Sequence, residues 1–320
     1  MKKFFKVLLV IITIIVAVVG VFALYVSQRS IPKYAPPKKI EAKVEITPER
    51  VAQGQKLATM LCHSCHYNEN TDEFTGRELT DIPQFGKIYS ANITHDSIVG
   101  IGNWSDGDLI YFIRTGIKPD GQYVPPYMPK LIHISDEDLK SIIAFLRSDN
   151  NWVKANTTHM PKSDPSFLSK FLVTIGAMKP FEYPAHALPG PDTTNKVEWG
   201  KYITLYQLEC YTCHSQSFAK NDYYEPEKSP GFFGGGNEMY DLNGNKIYSL
   251  NITQDKSTGI GNWSEADFIK AVKTGILPNN QPALRNPMQP YVNLSDEEVS
   301  AIYAFLKTVP PINNKVERKF

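Results

Sequence analysis

Four cysteines constrain this chain more than any other feature, because they form two short motifs of identical spacing. The motifs are Cys62-His63-Ser64-Cys65-His66 and Cys210-Tyr211-Thr212-Cys213-His214. Cysteines at i and i+3 lie on one face of a helical turn, and C-x-x-C-H is the pattern of c-type haem attachment. Each cysteine can form a thioether to one vinyl group, and the histidine that follows reaches the iron. The sequence therefore predicts two covalent haem c groups, bound by Cys62, Cys65, Cys210 and Cys213, with His66 and His214 as iron ligands.

Three other uses of paired cysteines fit this pattern less well. Structural zinc sites join C-x-x-C pairs that are usually about 15–20 residues apart, whereas 144 residues separate Cys65 from Cys210. A thioredoxin-like dithiol would not need a histidine after both motifs. A disulfide framework would not place every cysteine at this spacing in a chain of 320 residues.

The chain also repeats itself, and the repeat sets the expected domain organisation. Residues 88–94 match 247–253, and residues 100–105 match 259–264. The haem motifs are 148 residues apart but these blocks are 159 apart, so the second copy has 11 extra residues, which we place in the glycine-rich loop 229–236. The expected units are an N-terminus with transmembrane anchor (1–30), a tether (31–44), domain 1 (45–150), a linker (151–195), domain 2 (196–311) and a tail (312–320).

Both copies have helical patterns and weak strand signals, which predicts an all-α fold with long loops. Ser135 and Ser295 precede capping-box-like helix starts, and further helices are expected to begin at Ser105 and Ser264. Another helix carries each haem motif. Within the linker, residues 166–178 are predicted to form a short amphipathic helix.

The repeat indicates Met128 and Met288 as the sixth iron ligands. They are 160 residues apart, and each lies between prolines just before the last helix of its copy. Electron-transfer haems usually take Met or a second His at this position. Core packing of the two methionines and bis-His ligation remain alternatives. The other methionines of the folded part lack a counterpart in the other copy (Met60, Met160, Met178, Met239).

Polar residues at matching positions are candidates for contacts with the haem propionates. Trp104 and Trp263 carry an indole N–H, and Asn92 and Asn251 carry amide groups that can donate to a carboxylate. Arg114, aligned with Lys273, is a cation that can neutralise one. Structural roles in turns are the alternative for each of them.

The N-terminus predicts a membrane segment. Residues 7–26 carry no charge, and 20 residues of helix span about 30 Å, enough to cross a bilayer core. The run is longer than a signal-peptide core and lacks a small-residue cleavage pattern, so we expect an uncleaved anchor, with a cleaved signal as the alternative. Lys2, Lys3 and Lys6 favour a cytoplasmic N-terminus. The expected location is the bacterial inner membrane, single-pass, with the globular domains in the periplasm.

The charge balance gives no reason to expect a nucleic-acid partner. The chain carries 34 Lys and Arg against 33 Asp and Glu, a net charge of +1. Residues 40–150 nevertheless have 10 basic and 16 acidic residues, a net of −6, and residues 196–311 have 10 and 13, a net of −3. These acidic domains are either an ordinary solvated surface or a field that steers a basic redox partner.

Each half resembles a class I cytochrome c domain, with C-x-x-C-H, a Pro-flanked Met and a terminal helix ending Ala-Phe-Leu. The blocks 247–253 and 259–264 are similar to those of the multihaem cytochrome c subunit of membrane-bound bacterial alcohol, gluconate and sorbitol dehydrogenases, over about residues 45–310. The chain departs from that family in having two haem motifs instead of three and an N-terminal apolar segment.

These observations predict a membrane-anchored dihaem c-type cytochrome that passes single electrons between respiratory partners on the periplasmic side. We expect an electron carrier without catalytic residues of its own, whose donor and acceptor are redox proteins such as a dehydrogenase or a terminal oxidase. The alternative is an electron-transfer subunit of a periplasmic dehydrogenase complex. A dihaem peroxidase fits less well, because it needs one haem with an open or displaceable site.

The cysteine motifs lead to a direct test of haem attachment. Replacing both Cys210 and Cys213 with Ala should leave one covalent haem per chain, because only the first motif can then form thioethers. Haem staining on a denaturing gel and the intact mass measure this. An unchanged haem content in the variant would show that the second motif does not bind haem.

Overall fold

The computed structural model describes residues 2–35, 40–241 and 243–317. Within these ranges the helices are α1 (Lys2–Gln28), α2 (Pro48–Leu61), α3 (His63–His66), α4 (Asp106–Thr115), α5 (Asp136–Leu146), α6 (Phe167–Thr174), α7 (Lys196–Tyr202), α8 (Cys210–His214), α9 (Glu265–Thr274) and α10 (Asp296–Leu306). The strands are β1 (Glu78–Leu79), β2 (Gly86–Tyr89), β3 (Asp164–Pro165), β4 (Glu238–Tyr240) and β5 (Lys246–Tyr248). Met1, tether residues 36–39, residue 242 of domain 2 and tail residues 318–320 lie outside the described residues.

The described residues are mostly helical, as expected, but they also include short strands, so the expectation of an all-α fold holds only in part. The hairpin β1–β2 pairs Glu78 with Tyr89, and the hairpin β4–β5 pairs Glu238 with Tyr248. Strand β3 joins the edge of β2. Each strand is only two to four residues long, which is too short to show the alternation that marks a strand in a sequence.

The predicted helix starts are confirmed by their capping hydrogen bonds. The side chains of Ser105, Ser264 and Ser295 each form a complete capping box with the acidic residue three positions later. Ser135 also caps its helix, but the carboxylate of Asp138 does not return the bond. The predicted helix at 166–178 is present as the shorter α6, capped by Ser166.

Each half is built on a close crossing of its first and last helices. Helix α2 packs on α5, and α7 packs on α10. A Cβ atom at Gly54 would lie 1.9 Å from the Ser141 carbonyl oxygen, and one at Gly200 would lie 1.8 Å from that of Ala301. Only glycine allows this backbone approach, and the crossing positions the haem motif that follows each glycine.

The second half reaches its motif by a longer path. Cys62 follows Gly54 by eight residues, whereas Cys210 follows Gly200 by ten. A π-helix at Ile203–Gln207, followed by Glu209 with a positive φ of 49°, accommodates the added residues.

The extra chain of the second half lies before its hairpin, and its placement in the loop 229–236 stays a prediction. Glu78 lies 16 residues after Cys62, whereas its hairpin counterpart Glu238 lies 28 residues after Cys210. The added chain therefore lies between the second haem motif and β4, a segment that includes the glycine-rich loop 229–236.

A continuous apolar core runs through both halves, and polar contacts join them. The core includes Leu57 and Ile142 of the first half and Ile203 and Leu306 of the second. The Tyr202 hydroxyl accepts from the Ser135 backbone N–H at 2.9 Å and donates to Asp138 at 2.6 Å, which explains the incomplete capping box. Lys56 pairs with Glu298 at 2.6 Å, and Gln289 donates to the Met60 carbonyl at 3.2 Å.

Chain beyond the expected domain ends packs onto the two halves. In the tether, the Tyr34 N–H donates to Gly121 O, and Lys33 pairs with Asp120 at 2.8 Å. In the linker, β3 pairs with β2. In the tail, the Ile312 N–H donates to the Thr253 hydroxyl at 3.1 Å.

Candidate haem sites

The histidines of both motifs are held in the same way. Nδ1 of His66 lies 2.8 Å from the Ala91 carbonyl oxygen, and Nδ1 of His214 lies 2.8 Å from that of Leu250. Because a carbonyl only accepts, we assign the proton to Nδ1, which leaves the Nε2 lone pair available to a metal. Burial lowers the pKa of both imidazoles, so both rings are neutral at physiological pH.

The residues after these carbonyls correct the expectation for Asn92 and Asn251. The Asn92 amide donates to the backbone oxygens of Asn156 and Thr158, and its oxygen accepts from the N–H and hydroxyl of Thr94. Both of its N–H groups are thus used by protein carbonyls, and none is left for a propionate. The side chain instead fixes the loop whose preceding carbonyl orients His66.

Asn251 has the same role in the second half. Its oxygen accepts from the N–H and hydroxyl of Thr253, and its amide donates to Ile312 O at 2.7 Å and to the Thr258 hydroxyl at 3.0 Å. The Asn-Ile-Thr block therefore positions the preceding backbone carbonyl for its hydrogen bond with Nδ1 of the motif histidine.

The cysteines show neither the zinc site nor the reactive dithiol considered as alternatives. All four thiols are unbridged, and burial raises the pKa of Cys62 and of Cys210 to about 12. A reactive dithiol requires the opposite shift. In the described part of the chain, no three His, Cys, Asp or Glu side chains converge as a metal site.

An apolar cavity in the second half brings the predicted haem ligands together. Its lining includes Cys210, Cys213, His214, Met288 and Trp263. The apolar part of the lining includes Ile252, Ile260, Phe268, Val272, Leu277, Leu284, Ile302 and Leu306. His214 is the one histidine in the lining, which favours Met over a second His as its partner. Two thiols, an imidazole and a thioether on one largely apolar cavity fit a haem c group.

Met239 also lines this cavity, although it has no counterpart in the first copy. Strand β4 carries it there, and the hairpin was not evident in the sequence. The second half therefore offers two thioethers, Met239 and Met288.

The two predicted ligand loops have the same backbone turn. The N–H of Met128 donates to Pro125 O at 3.2 Å, and that of Met288 donates to Arg285 O at 3.0 Å. Met128 is half-buried against the core. Its carbonyl accepts from Lys130 Nζ, a cation that the second half replaces with Pro290.

Arg114 corrects the expectation that it neutralises a propionate. Its side chain is 1% exposed and forms an ion pair with Asp136 at 2.8 Å. It also donates to the carbonyls of Leu131 and Ile132, just after the Met128 loop. Lys273 likewise pairs with Asp296. Arg114 thus joins the segment after the Met128 loop to the start of α5, whereas Lys273 joins α9 to the start of α10.

The two tryptophans are fixed through their backbone. The Trp104 carbonyl accepts from Arg147, and the Trp263 carbonyl accepts from the Tyr303 hydroxyl at 2.6 Å. The Trp104 ring packs edge-on against Phe112. Trp263 lines the cavity, and the bond of its indole N–H to a propionate stays a prediction.

Two arginines that no sequence pattern indicated also lie near the predicted sites. Burial raises the pKa of the Cys65 thiol and lowers that of the His63 imidazole, and the nearby charge of Arg77 acts to lower both. The buried Nε of Arg77 has no hydrogen-bond partner among the described residues. Arg285 lines the second cavity. Neither arginine has a basic counterpart in the other copy, so the repeat does not indicate either of them as a site residue.

Each half of the chain matches a family model. Residues 203–310 match the family model for cytochrome c, and residues 49–146 match that for subunit III of cbb3-type cytochrome c oxidase.

Curated relatives align over most of the chain. The fructose dehydrogenase cytochrome subunit of Gluconobacter japonicus is 28% identical over 81% of this chain and 52% of its own length. The cytochrome c subunit of the quinone alcohol dehydrogenase of Gluconobacter oxydans is 27% identical over 82% and 55%. The chain spans about half the length of these two relatives. A diheme c-type cytochrome of Cereibacter sphaeroides is 27% identical over 78% of this chain and 82% of its own.

The role of the Asn-Ile-Thr block can be tested in the second half. Asn251→Ala should lower the free energy of unfolding by about 1–3 kcal/mol, because it leaves buried groups around Ile312 and Thr253 unpaired. Asn262→Ala is the matched control, since its bond to Lys256 O is exposed. Denaturant unfolding followed by circular dichroism measures both. Equal stability of the two variants would contradict the role assigned to Asn251.

Proposed function

We propose, from the premise that this chain is a class I c-type cytochrome, that it is a membrane-anchored dihaem carrier of single electrons. The observation that carries the proposal is the repeated hydrogen bond between a motif histidine and a backbone carbonyl, Ala91 in one half and Leu250 in the other. It prepares two neutral imidazoles, each beside its own pair of cysteines. The diheme relative from Cereibacter sphaeroides supports the count of two.

The protein residues would bind, orient and shield the two haems. Cys62 with Cys65, and Cys210 with Cys213, would attach them, and each histidine would ligate through Nε2. When bound, the haem supplies the one-electron redox change of its iron. The apolar lining of the second cavity excludes water and so favours electron transfer without ligand exchange.

Met128 and Met288 would complete the iron coordination. Both lie in loops with the same turn, and Arg114 ties the segment after the first loop to the last helix of its half. Methionine–histidine ligation raises the reduction potential relative to two histidines. Arg77 and Arg285 would supply positive charge for haem carboxylates, and the Trp263 indole a hydrogen bond.

Helix α1 would be a retained transmembrane anchor with the two haem domains on the periplasmic side. It is 27 residues long and apolar. A cleaved signal peptide does not belong to the folded protein, yet Val26 at its end is fully buried. The lysines at positions 2, 3 and 6 favour the cytoplasmic side for the N-terminus.

A second candidate function is the electron-transfer subunit of a dehydrogenase complex. Several relatives are named as cytochrome subunits of fructose, alcohol and gluconate dehydrogenases, and the acidic domains suit a basic partner. Co-purification of the tagged chain from its native membranes distinguishes the two, because a subunit retains a stoichiometric dehydrogenase in mild detergent and a separate carrier does not.

The axial ligands can be tested one haem at a time. Met128→His should lower the potential of the first haem only, and Met288→His that of the second only, because a thioether favours ferrous iron more than imidazole does. Each variant should also lose about half of the near-infrared sulfur-to-iron band of the oxidised protein, since one of two thioethers is removed. Spectroelectrochemical titration measures both quantities.

Met239→Leu is the matched control, because this side chain lines the same cavity. It should leave the band and both potentials unchanged. Loss of half the band in Met239→Leu with a full band in Met288→His would assign ligation to Met239 instead. A full band in both His variants would place the two predicted methionines in the core.

The anchor can be tested by fractionation. Replacing residues 1–28 with a cleavable export signal should yield a chain that still carries covalent haem but is released from membranes by alkaline carbonate, because the spanning helix is gone. The full chain should resist the same wash. Release of the full chain by carbonate would show that α1 does not span the membrane.

A further inference from the structure

Helix α6 departs from the usual amphipathic pattern. It buries the polar Ser169 together with Val173, whereas Phe167 is 49% exposed, Leu168 42% and the following Ile175 53%. A surface helix of a globular protein normally turns its apolar side chains to the core. The exposed apolar face of α6, defined here as Phe167, Leu168 and Ile175, therefore needs a partner.

The contacts of α6 place this face beside the end of α1. Phe171 packs edge-on against Phe22 of α1, with ring centroids 6.3 Å apart. Lys170 Nζ donates to the Ser27 carbonyl at 3.1 Å. Phe22 lies four residues before the end of the apolar run at Val26, which is about 6 Å of helix. Helix α6 is thus level with the last turn of the predicted membrane span.

The charges around α6 fit a bilayer surface. Residues 162–179 contain three lysines and one aspartate, a net of +2, although both haem domains are acidic. At the same level Arg29 lies over the ring of Tyr25, 5.2 Å from its centroid, and Tyr25 is 52% exposed. Exposed aromatic rings with flanking cations are typical of the membrane–water interface.

We propose that α6 is an interfacial helix, whose exposed apolar face lies among the lipid headgroups and upper acyl carbons of the bilayer that α1 crosses. The proposal rests on the transmembrane role proposed for α1. It makes the lipid surface, and not a second protein, the partner of this face.

Helix α6 would thereby fix the first half against the membrane. The Ser166 and Ser169 hydroxyls donate to the carbonyls of Gln84 and Phe85 at 2.7 and 2.8 Å. The Phe85 ring contacts Tyr127, with centroids 6.3 Å apart, and Tyr127 precedes Met128. The predicted ligand loop of the first haem is therefore joined through two rings to the membrane-facing helix.

The tether adds a second attachment on the same side. Its residues Ile31 and Tyr34 bond to Gln122 and Gly121 of the first half. Two segments therefore connect α1 to the first half: the tether, which precedes the first haem motif in the sequence, and α6, which follows it. Both connections make the first half the membrane-proximal one.

The test uses the full-length holoprotein, one copy per lipid nanodisc, with a nitroxide label on an introduced cysteine. In the Leu168→Cys and Ile175→Cys variants, the ratio of collision rates with oxygen to those with a water-soluble nickel chelate should be at least severalfold higher than in Lys256→Cys. Oxygen concentrates in the bilayer and the chelate stays in water, and Lys256 is an exposed loop residue of the second half.

Two results would overturn the proposal. A label at Leu168 as accessible to the nickel chelate as the label at Lys256 places α6 in water. A label shielded from both reagents places it against protein.

The parent chain and the carbonate wash separate these outcomes from failure of the proposed function. Without an introduced cysteine the holoprotein should take up no label, because the proposed haem attachment converts all four cysteine thiols into thioethers. Labelling of the parent would contradict haem attachment. The lipid contact of α6 would then be decided by the ratio of oxygen to nickel-chelate collision rates at position 168, after subtraction of the parent signal. Release of the full chain by carbonate would contradict the anchor alone.

Discussion

The hydrogen bond from each motif histidine to a backbone carbonyl is the contact on which both sites depend. The Ala91 and Leu250 carbonyls select the Nδ1–H tautomer and leave the other nitrogen of each ring with a lone pair available to a metal. Asparagine side chains one residue later hold these carbonyls in place. Their partners, Asn156 and Ile312, lie just beyond the expected ends of domains 1 and 2. Each site is therefore complete only when this following segment has packed onto its half.

The two copies meet so that the methionine loop of each lies near the cysteine motif of the other. Gln289, next to Met288, donates to the carbonyl of Met60, two residues before Cys62. In the reverse direction Lys130, two residues after Met128, attracts Glu209, which precedes Cys210. Burial raises the pKa of Glu209 to about 8 and lowers that of Lys130 to about 7, while their mutual attraction opposes both shifts. The seam between the halves thus runs beside both predicted sites.

The two copies share the contacts that orient the motif histidine, but they differ in the burial of an aligned cation and in the chain segments packed around them. Arg114 is fully buried in the first half, whereas Lys273 in the second is 27% exposed. The first half is contacted by the tether and α6, whereas the second half contains the long segment before β4 and the π-helix that follows α7. Since second-shell charge and burial tune a haem potential, these differences give the two sites unequal environments.

The sequence by itself determined what depends on spacing and local pattern. The cysteine motifs, the capped helix starts, the extra loop and the membrane-length helix were all predictable, because each is decided within a few residues or by the repeat. The tertiary structure decided which polar group meets which partner. Asn92 and Arg114 have the residue types that bind a carboxylate, yet their partners are protein groups up to 66 residues away, and no local pattern encodes such a pairing. Arg77, Arg285 and Met239 reach the sites for the same reason, because the folded chain brings together residues that the repeat does not align.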